Sequence, residues 1–192
     1  LFMMNCGLPR MGFPCVGSWV TYGLGSESQN LPGFVVMSDP KDRGLPKGHA
    51  SNWSAGFLPG IYQGTWLKPK GDPIDHLNRL PNWTEARQQG QLGFLDKLNQ
   101  GFSEKYPNEA DLTARIKSYE LAYSMQMAAP EALDIEREPK HIHSLYGLDQ
   151  EHCRHFGVQC LMARRLAERG VRYIQIYSGG NENQRSWDGH ND

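Results

Sequence analysis

The sequence predicts an α/β fold in which a mainly parallel sheet is flanked by helices. Two short apolar runs, at residues 33–37 and 171–177, are separated by long stretches of helical periodicity. The first run does not alternate between apolar and polar residues, which is typical of a strand covered on both faces. Around the second run a helix, a glycine, a strand and a Gly-Gly loop follow one another, which is half of a βαβ crossover. The strands are therefore expected to be parallel.

The first helix is predicted over residues 17–25, with Ser18 as its N-cap and Gly25 as the residue that ends it. A serine at a helix N-terminus can also act as a nucleophile, because the helix dipole helps it. No base lies near Ser18 in the sequence, so a cap is the simpler role. After a polar turn, residues 33–37 form the first strand.

Residues 38–82 are predicted to be an irregular excursion, because they are rich in glycine, proline, aspartate and lysine. Segments of this length within compact domains are usually functional or partly disordered. Aromatic faces suit sugar rings, so we hypothesise that this segment and the turn after the last strand wall a substrate pocket. The residues assigned to that pocket are Trp53, Tyr62, Trp66, Gly179 and Gly180.

Two apolar stripes at helical spacing predict two long helices after this segment. The first stripe consists of Leu92, Leu95, Leu98 and Phe102. The second stripe consists of Leu112, Ile116, Tyr119, Tyr123 and Met127. Pro130 is expected to close the second helix, because proline cannot continue the hydrogen-bond ladder.

A further helix is predicted over residues 150–169, followed by Gly170 as its stop. Arginines near its C-terminus suit the negative end of the helix dipole. Residues 171–177 are expected to be an interior strand of the parallel sheet, since they are β-branched and aromatic. The face of the helix that is expected to be buried carries Phe156, Cys160, Ala163 and Ala167.

Composition and charge exclude several classes of protein. With 39% hydrophobic and 21% charged residues, the chain has an ordinary globular composition rather than that of a disordered protein. The net charge is −1 and no long run of like charge occurs, so no nucleic-acid partner is indicated. No apolar run is long enough to span a bilayer, so no membrane span is expected.

Asp188 and His190 are the best candidates for a metal site. They lie in the loop beyond the last predicted strand, where open α/β sheets place their ligands. A carboxylate oxygen and a neutral imidazole nitrogen suit a divalent ion such as zinc, and Gly189 between them allows a tight turn. Alternatively, the loop is solvated and Asp188 caps a turn. Two ligands are too few, so the others are expected to come from elsewhere.

Other histidines and the cysteines carry weaker signals. The pairs His141/His143 and His152/His155 place both rings on one side of an element, but a solvated surface is the favoured interpretation. Isolated thiols are favoured for the four cysteines, since Cys153 and Cys160 are too far apart along a helix to pair. A bond between Cys6 and Cys15 stays open, so the cysteines do not determine the compartment.

Several stretches, in order along nearly the whole chain, resemble one family. Taken together, these stretches are more specific than any single motif. They are GSWVTYGLG at 17–25, NLPGFVVM at 30–37, YQGT at 62–65, RIKSYELAYSMQ at 115–126, APE at 129–131, LYGL at 145–148, FGVQCLMARRLAERGVRYIQIY at 156–177 and WDGH at 187–190. The chain is similar to the family known as domain of unknown function 1501, whose members are often labelled sulfatase.

That resemblance implies a piece of the alkaline-phosphatase superfamily fold, with a metal site at the strand ends. Residues 1–7 match the tail of a nucleophile helix, so the nucleophile is expected upstream of Leu1. Trp187, Asp188 and His190 match the family's Trp-Asp-x-His motif, which implies that the last two bind metal. The resemblance also implies an exported, periplasmic protein. The chain is thus interpreted as an internal part of a single catalytic domain, residues 1–192, cut at both ends and inactive alone.

Two functions follow as hypotheses. The first is hydrolysis of a sulfate or phosphate ester, on a small-molecule or carbohydrate substrate, by the intact protein with a bound divalent metal. Zinc is favoured over calcium because His190 supplies a nitrogen ligand. The alternative is a non-catalytic member of the same fold that binds a carbohydrate or a protein partner through the aromatic residues of 38–82.

Overall fold

The computed structural model of this chain describes residues 1–39, 45–68, 73–74, 77, 82–107 and 109–179. Within them, a small parallel sheet has helices on both faces. The helices are α1 (Phe2–Cys6), α2 (Val16–Leu24), α3 (Glu85–Lys105), α4 (Ala110–Leu133), α5 (Lys140–Leu145) and α6 (Glu151–Ala167). The strands are β1 (Phe34–Met37), β2 (Thr65–Leu67) and β3 (Tyr173–Ile176), and short 3-10 helices span His49–Trp53, Gly60–Tyr62 and Ile135–Arg137.

The three described strands lie in the order β2-β1-β3, and both pairings are parallel. Val35 in the centre of β1 pairs with Thr65 on one side and Ile174 on the other. The predicted parallel sheet flanked by helices is therefore confirmed. β1 rather than β3 is the interior strand of these three, so the predicted interior position of residues 171–177 is wrong for the part of the sheet that is described.

The two faces of the sheet bury two separate cores, because successive side chains of a strand point to opposite faces. Val35 and Met37 contribute to the first core cluster, which also contains apolar residues of α4 and α6. Phe34 and Val36 contribute to the second core cluster, with Cys15 and the partly buried Tyr173. All four side chains of β1 are at most 2% exposed, which agrees with the uninterrupted apolar run in the sequence.

Helix α2 begins one turn earlier than the sequence suggested. Cys15 is its N-cap, and Ser18 lies inside the helix, fully buried, with its hydroxyl donating to the carbonyl of Ser54 at 3.2 Å. The prediction of Ser18 as N-cap is therefore wrong, because a buried tertiary acceptor competes for the hydroxyl. Gly25 does end the helix, with a φ of 69° that favours glycine, as predicted.

Residues 38–82 were expected to be irregular throughout, but Thr65–Leu67 form strand β2. Three residues are too few to show a periodic pattern, and this strand exists because β1 offers it a hydrogen-bonding edge. The rest of the described part of this segment consists of turns and two 3-10 helices. The prediction of a wholly irregular segment is therefore wrong, because residues 38–82 contain β2, an edge strand of the described sheet.

The predicted long helices exist as α3 and α4, but their apolar stripes are not where the core lies. On α3, Leu95, Leu98 and Phe102 are 44–54% exposed. On α4 the fully buried residues are Met125, Ala129 and Ala132, whereas Met127 of the predicted stripe is 65% exposed. An amphipathic pattern predicts a helix but does not show which neighbour covers it. α4 also continues through Pro130 to Leu133, so the prediction that Pro130 closes this helix is wrong. Proline removes one hydrogen bond of the ladder, but its fixed φ is itself helical, and only one turn of α4 follows it.

The buried face of α6 also differs from the prediction. Phe156 and Ala167 are exposed, while Cys160 and Ala163 are partly buried. The residues that are buried in α6 are Gly157, Gln159, Leu161, Arg165 and Leu166. Two of these five are polar, so a pattern based on apolar residues selects the wrong face.

No helix among the described residues is long and apolar enough to cross a membrane. All four cysteines are free thiols.

Candidate functional site

The carboxyl ends of the parallel strands meet along one side of the sheet, which we call the carboxyl edge. Ser38 and Asp39 follow β1, Lys68 follows β2, and residues 177–179 follow β3. Open α/β sheets bind their ligands beyond this end of the strands. The carboxyl edge is therefore the place in this fold where a functional site is expected.

Two polar residues after β1 are almost completely buried at the carboxyl edge. Ser38 is 3% exposed and Asp39 is 2% exposed. The indole Nε1 of Trp66 donates to the Ser38 hydroxyl at 2.9 Å, and the backbone N–H of Gly179 donates to Asp39 Oδ2 at 2.7 Å. Gly179 has a φ of 110°, a conformation that favours glycine. Asp39 thus ties the turn after β3 to the end of β1.

Gln159 of α6 reaches the same edge from the opposite direction. It is 3% exposed, and its Nε2 donates to the backbone carbonyl of Ser38 at 2.6 Å. Because α6 runs back towards the start of β3, its N-terminal half lies over the carboxyl ends of the strands. Gln159 was not predicted from the sequence, where the one local signal is a polar side chain between Gly157 and Leu161 on the buried face of α6.

A polar network of four side chains joins α1 and the first 3-10 helix to β3. The amide of Asn5 donates to Asn52 Oδ1 at 3.1 Å and to the Tyr177 hydroxyl at 3.0 Å. Gln175 donates to Asn5 Oδ1 at 2.9 Å and to the Tyr177 hydroxyl at 2.5 Å. Four side chains from three elements bond here, so α1 is held beside the carboxyl end of β3. None of these bonds was predicted from the sequence.

Tyr177 makes the stability of this region sensitive to alkaline pH. Burial raises its pKa to about 12, although the hydrogen bond from Asn5 acts in the opposite direction. An unfolded tyrosine titrates near pH 10. The raised pKa therefore contributes stability that is present below about pH 10 and is lost as the pH rises towards about 12.

We expect wild type to lose stability more steeply than Tyr177→Phe between about pH 9.5 and about pH 11.5, measured by urea unfolding. The variant also loses its bonds to Asn5 and Gln175, so it should be less stable near neutral pH. Tyr119→Phe is the matched control, since Tyr119 is 58% exposed. Equal slopes for wild type and Tyr177→Phe would contradict this account of the network.

The residues predicted to wall a pocket lie in different places. Trp53 is 3% exposed and packs in the second core cluster, with its ring centroid 5.9 Å from that of Tyr177. Trp66 and Gly179 lie at the carboxyl edge. Tyr62 lies apart from them, in edge-to-face contact with Tyr22 at 5.2 Å. Gly180 lies outside the described residues, so a shared pocket stays a prediction.

The predicted metal ligands, Asp188 and His190, also lie outside the described residues. Across the described ranges, no group of three or more histidine, cysteine, aspartate or glutamate side chains is placed to hold a metal ion. That finding includes the histidine pairs of α5 and α6. His143 Nε2 instead lies 2.9 Å from the carbonyl of Ile135.

An exposed row of aromatic rings, the aromatic ridge, covers the outer side of α2. Successive rings make edge-to-face contacts at centroid distances of 5.2–6.3 Å. In spatial order the rings belong to Phe13, Phe57, Trp19, Tyr22 and Tyr62. Phe57 is 64% exposed and Trp19 is 46% exposed, so the ridge faces solvent rather than filling a core. Exposed apolar groups on this scale are typical of interaction surfaces.

Comparison with known proteins agrees with the resemblance seen in the sequence. A search of the curated proteins and a search of the solved structures each found no match. The model of one family, described as "Protein of unknown function (DUF1501)", matches residues 1–192. Because the match covers the chain from end to end, it does not depend on a single motif. The chain is therefore a member of the DUF1501 family of proteins of unknown function.

Proposed function

We propose that this chain is part of a metal-dependent hydrolase that acts on sulfate or phosphate esters, with its site at the carboxyl edge. The observation that carries the proposal is the bond between the Asp39 carboxylate and the backbone of Gly179. It holds Gly179, which precedes the segment containing Asp188 and His190 in the sequence, against the end of the central strand. A parallel sheet with helices on both faces is also compatible with the alkaline-phosphatase superfamily, which we propose as its fold.

In this proposal Asp188 and His190 are metal ligands. The donor chemistry of this pair fits a divalent cation, and the imidazole favours zinc over calcium. The described residues contribute no complete ligand set of their own, so further ligands are required. A bound divalent cation would polarise the ester oxygens and stabilise the charge that develops on them.

In this proposal the described residues position the reacting groups. The polar network holds α1 beside the end of β3 through Asn5 and Tyr177. We propose that the nucleophile lies just upstream of α1, as the family resemblance implies, and this contact would then bring it to the same edge as Asp188 and His190. Asp39 and Gln159 would hold the backbone on which that loop begins. Precise placement of reacting groups is a major part of enzymatic rate enhancement.

The proposal is tested by metal binding. We expect the intact protein to bind zinc, and we expect Asp188→Asn and His190→Ala each to weaken zinc binding by at least roughly 10–100-fold. Zinc affinity is measured by competition with a chromogenic chelator, and folding is checked by circular dichroism. Asp149→Asn and His141→Ala are matched controls, because both side chains are exposed. Unchanged zinc affinity in His190→Ala would overturn the ligand assignment.

The class of substrate is tested in a separate experiment with the intact protein. We expect zinc-dependent hydrolysis of para-nitrophenyl sulfate or para-nitrophenyl phosphate, with the ratio of the two rates identifying the leaving group. Loss of this turnover in His190→Ala, with folding retained, is the expected result. Turnover that persists after zinc is removed by a chelator would contradict a metal-dependent mechanism.

The alternative function, a non-catalytic carbohydrate- or protein-binding member, is favoured by the aromatic ridge. Tyr62 of the predicted binding segment lies in that ridge together with the exposed Trp19 and Phe57. Aromatic residues are enriched where proteins bind other molecules. A folded protein that binds no zinc and hydrolyses neither ester would support this alternative over the hydrolase.

A further inference from the structure

A cavity of about 540 Å³, the α3–α4 cavity, lies between the two long helices. Its apolar walls come from the two helical stripes of the sequence: α3 contributes Leu92 and Leu95, and α4 contributes Ile116, Tyr119 and Tyr123. Small-molecule sites in proteins typically enclose roughly 300–1,000 Å³ and are lined by apolar and aromatic side chains with a few polar groups. The α3–α4 cavity has the size and the lining of such a site.

The described part of the chain leaves the walls of this cavity largely uncovered. α3 has no buried residue, and Leu95 and Tyr119 are 48% and 58% exposed. Both of these side chains also line a second cavity, of about 420 Å³, on the side of β2. Removing apolar surface from water is favourable by about 25 cal/mol per Å². An apolar body that entered the α3–α4 cavity would therefore gain from surfaces that the helices do not bury against each other.

The charge of the lining indicates which apolar molecules fit. Its two charged residues are both acidic, Asp96 on α3 and Glu120 on α4. Neither carboxylate forms an ion pair with another described residue. The faces of the Tyr119 and Tyr123 rings also attract cations. A ligand with a positive group is therefore favoured here, and an anionic one is repelled.

Arg115 supplies a positive charge beside the cavity. Its guanidinium lies 5.9 Å from the centroid of the Tyr119 ring and donates to the Tyr119 hydroxyl at 3.4 Å. The Tyr119 ring thus already has a cation over one of its faces. Because like charges repel, Arg115 opposes a cationic ligand, and its removal has a predictable sign.

We propose that the α3–α4 cavity binds a small organic cation with an apolar body, such as an alkyl- or arylammonium compound. The apolar body packs against Leu92, Leu95 and Ile116, and the positive group lies near Asp96 and Glu120. The ligand also holds α3 against α4, since it covers the apolar side chains that both helices leave exposed. This inference does not depend on the proposed ester hydrolysis.

The test is calorimetric titration of the intact protein with decyltrimethylammonium, decanol and decanoate, each below its micelle concentration. The three probes share one alkyl chain and differ in the charge of the head group. We expect saturable binding with the cation tightest and the anion weakest. Hydrogen exchange of the α3 amides should slow when decyltrimethylammonium is bound, because the ligand stabilises this helix.

The variants separate the charged from the apolar contribution. Asp96→Asn and Glu120→Gln are each expected to weaken decyltrimethylammonium binding roughly 2–5-fold, and together to strengthen decanoate binding. Arg115→Gln should strengthen binding of the cation. Leu95→Ser should weaken binding of all three probes roughly 5–30-fold. The matched controls, which replace exposed residues elsewhere, are Asp149→Asn, Glu136→Gln and Leu145→Ser.

Several results would overturn the inference. Absence of decyltrimethylammonium binding would do so, as would equal affinity for the three head groups, which would show that the carboxylates do not select the ligand. Binding that is unchanged in Leu95→Ser would place the ligand elsewhere. A wild-type dimer that Leu95→Ser converts to a monomer, seen by analytical ultracentrifugation without added probe, would show that a second copy covers these walls instead.

Discussion

Replacement of Arg165 by methionine is expected to lower the free energy of unfolding by about 3 kcal/mol. Arg165 is 5% exposed, and its guanidinium donates to the carbonyls of Ala132 and Glu131 at 3.0 and 2.8 Å. These carbonyls lie in the last turn of α4, where no intrahelical donor remains. Arg165 also bonds to the Glu138 carboxylate. Methionine keeps most of the apolar volume but removes every one of these donors.

The measurement is urea unfolding followed by circular dichroism, with Arg115→Met as the control. Arg115 is exposed on α4, and its guanidinium donates to the Tyr119 hydroxyl at 3.4 Å, so its loss should change stability little. The hydrogen bond from Arg165 lowers the pKa of the Glu138 carboxyl, against the effect of burial. Wild type should therefore lose stability as the pH falls below the ordinary range of a glutamate, and Arg165→Met should lose less. A loss equal to that of Arg115→Met would show that the α4–α6 contact is not held by Arg165.

Replacement of Gly157 by alanine is expected to destabilise the protein by roughly 1–3 kcal/mol or more, in spite of the higher helix propensity of alanine. A Cβ at this position of α6 would lie 2.1 Å from the backbone oxygen of Tyr146 and 3.2 Å from Leu148. A backbone atom cannot move aside as a flexible side chain can, so α6 must shift as a whole. The shift would also displace Gln159, two residues further along, from Ser38.

Gly101→Ala is the matched control, because Gly101 is also a helical glycine but a Cβ there would meet nothing within 4 Å. We expect this variant to be more stable than wild type by up to about 1 kcal/mol, from helix propensity alone. Thermal unfolding measures both effects, which should have opposite signs. Stabilisation by Gly157→Ala would show that α6 does not pack closely against Tyr146.

Much of the candidate site could not be predicted from the sequence, for a physical reason visible at each residue. Ser38 and Asp39 directly follow the buried strand that the sequence predicts, so their place at the carboxyl edge could be predicted from the sequence. The place of Gln159 could not, because the partner of its side chain among the described residues is the Ser38 carbonyl, far away along the chain. The network of Asn5 and Tyr177 likewise joins residues from opposite ends of the chain. Hydrogen bonds between distant polar residues leave no periodic trace in either segment.

By itself the sequence determined the two longest elements of the parallel sheet, the helices around it and the family to which the chain belongs. Those features follow from local signals: the apolar run of β1, the helical spacing of α3, α4 and α6, and the glycine that ends α2. Only the tertiary structure decided that β2 is a strand, that α6 buries a face containing Gln159 and Arg165, and that Asp39 holds Gly179. In each case the deciding interaction is a partner supplied by a distant part of the chain. A short strand needs an edge to pair with, and a buried polar side chain needs an acceptor or donor, before either is more stable inside the protein than in water.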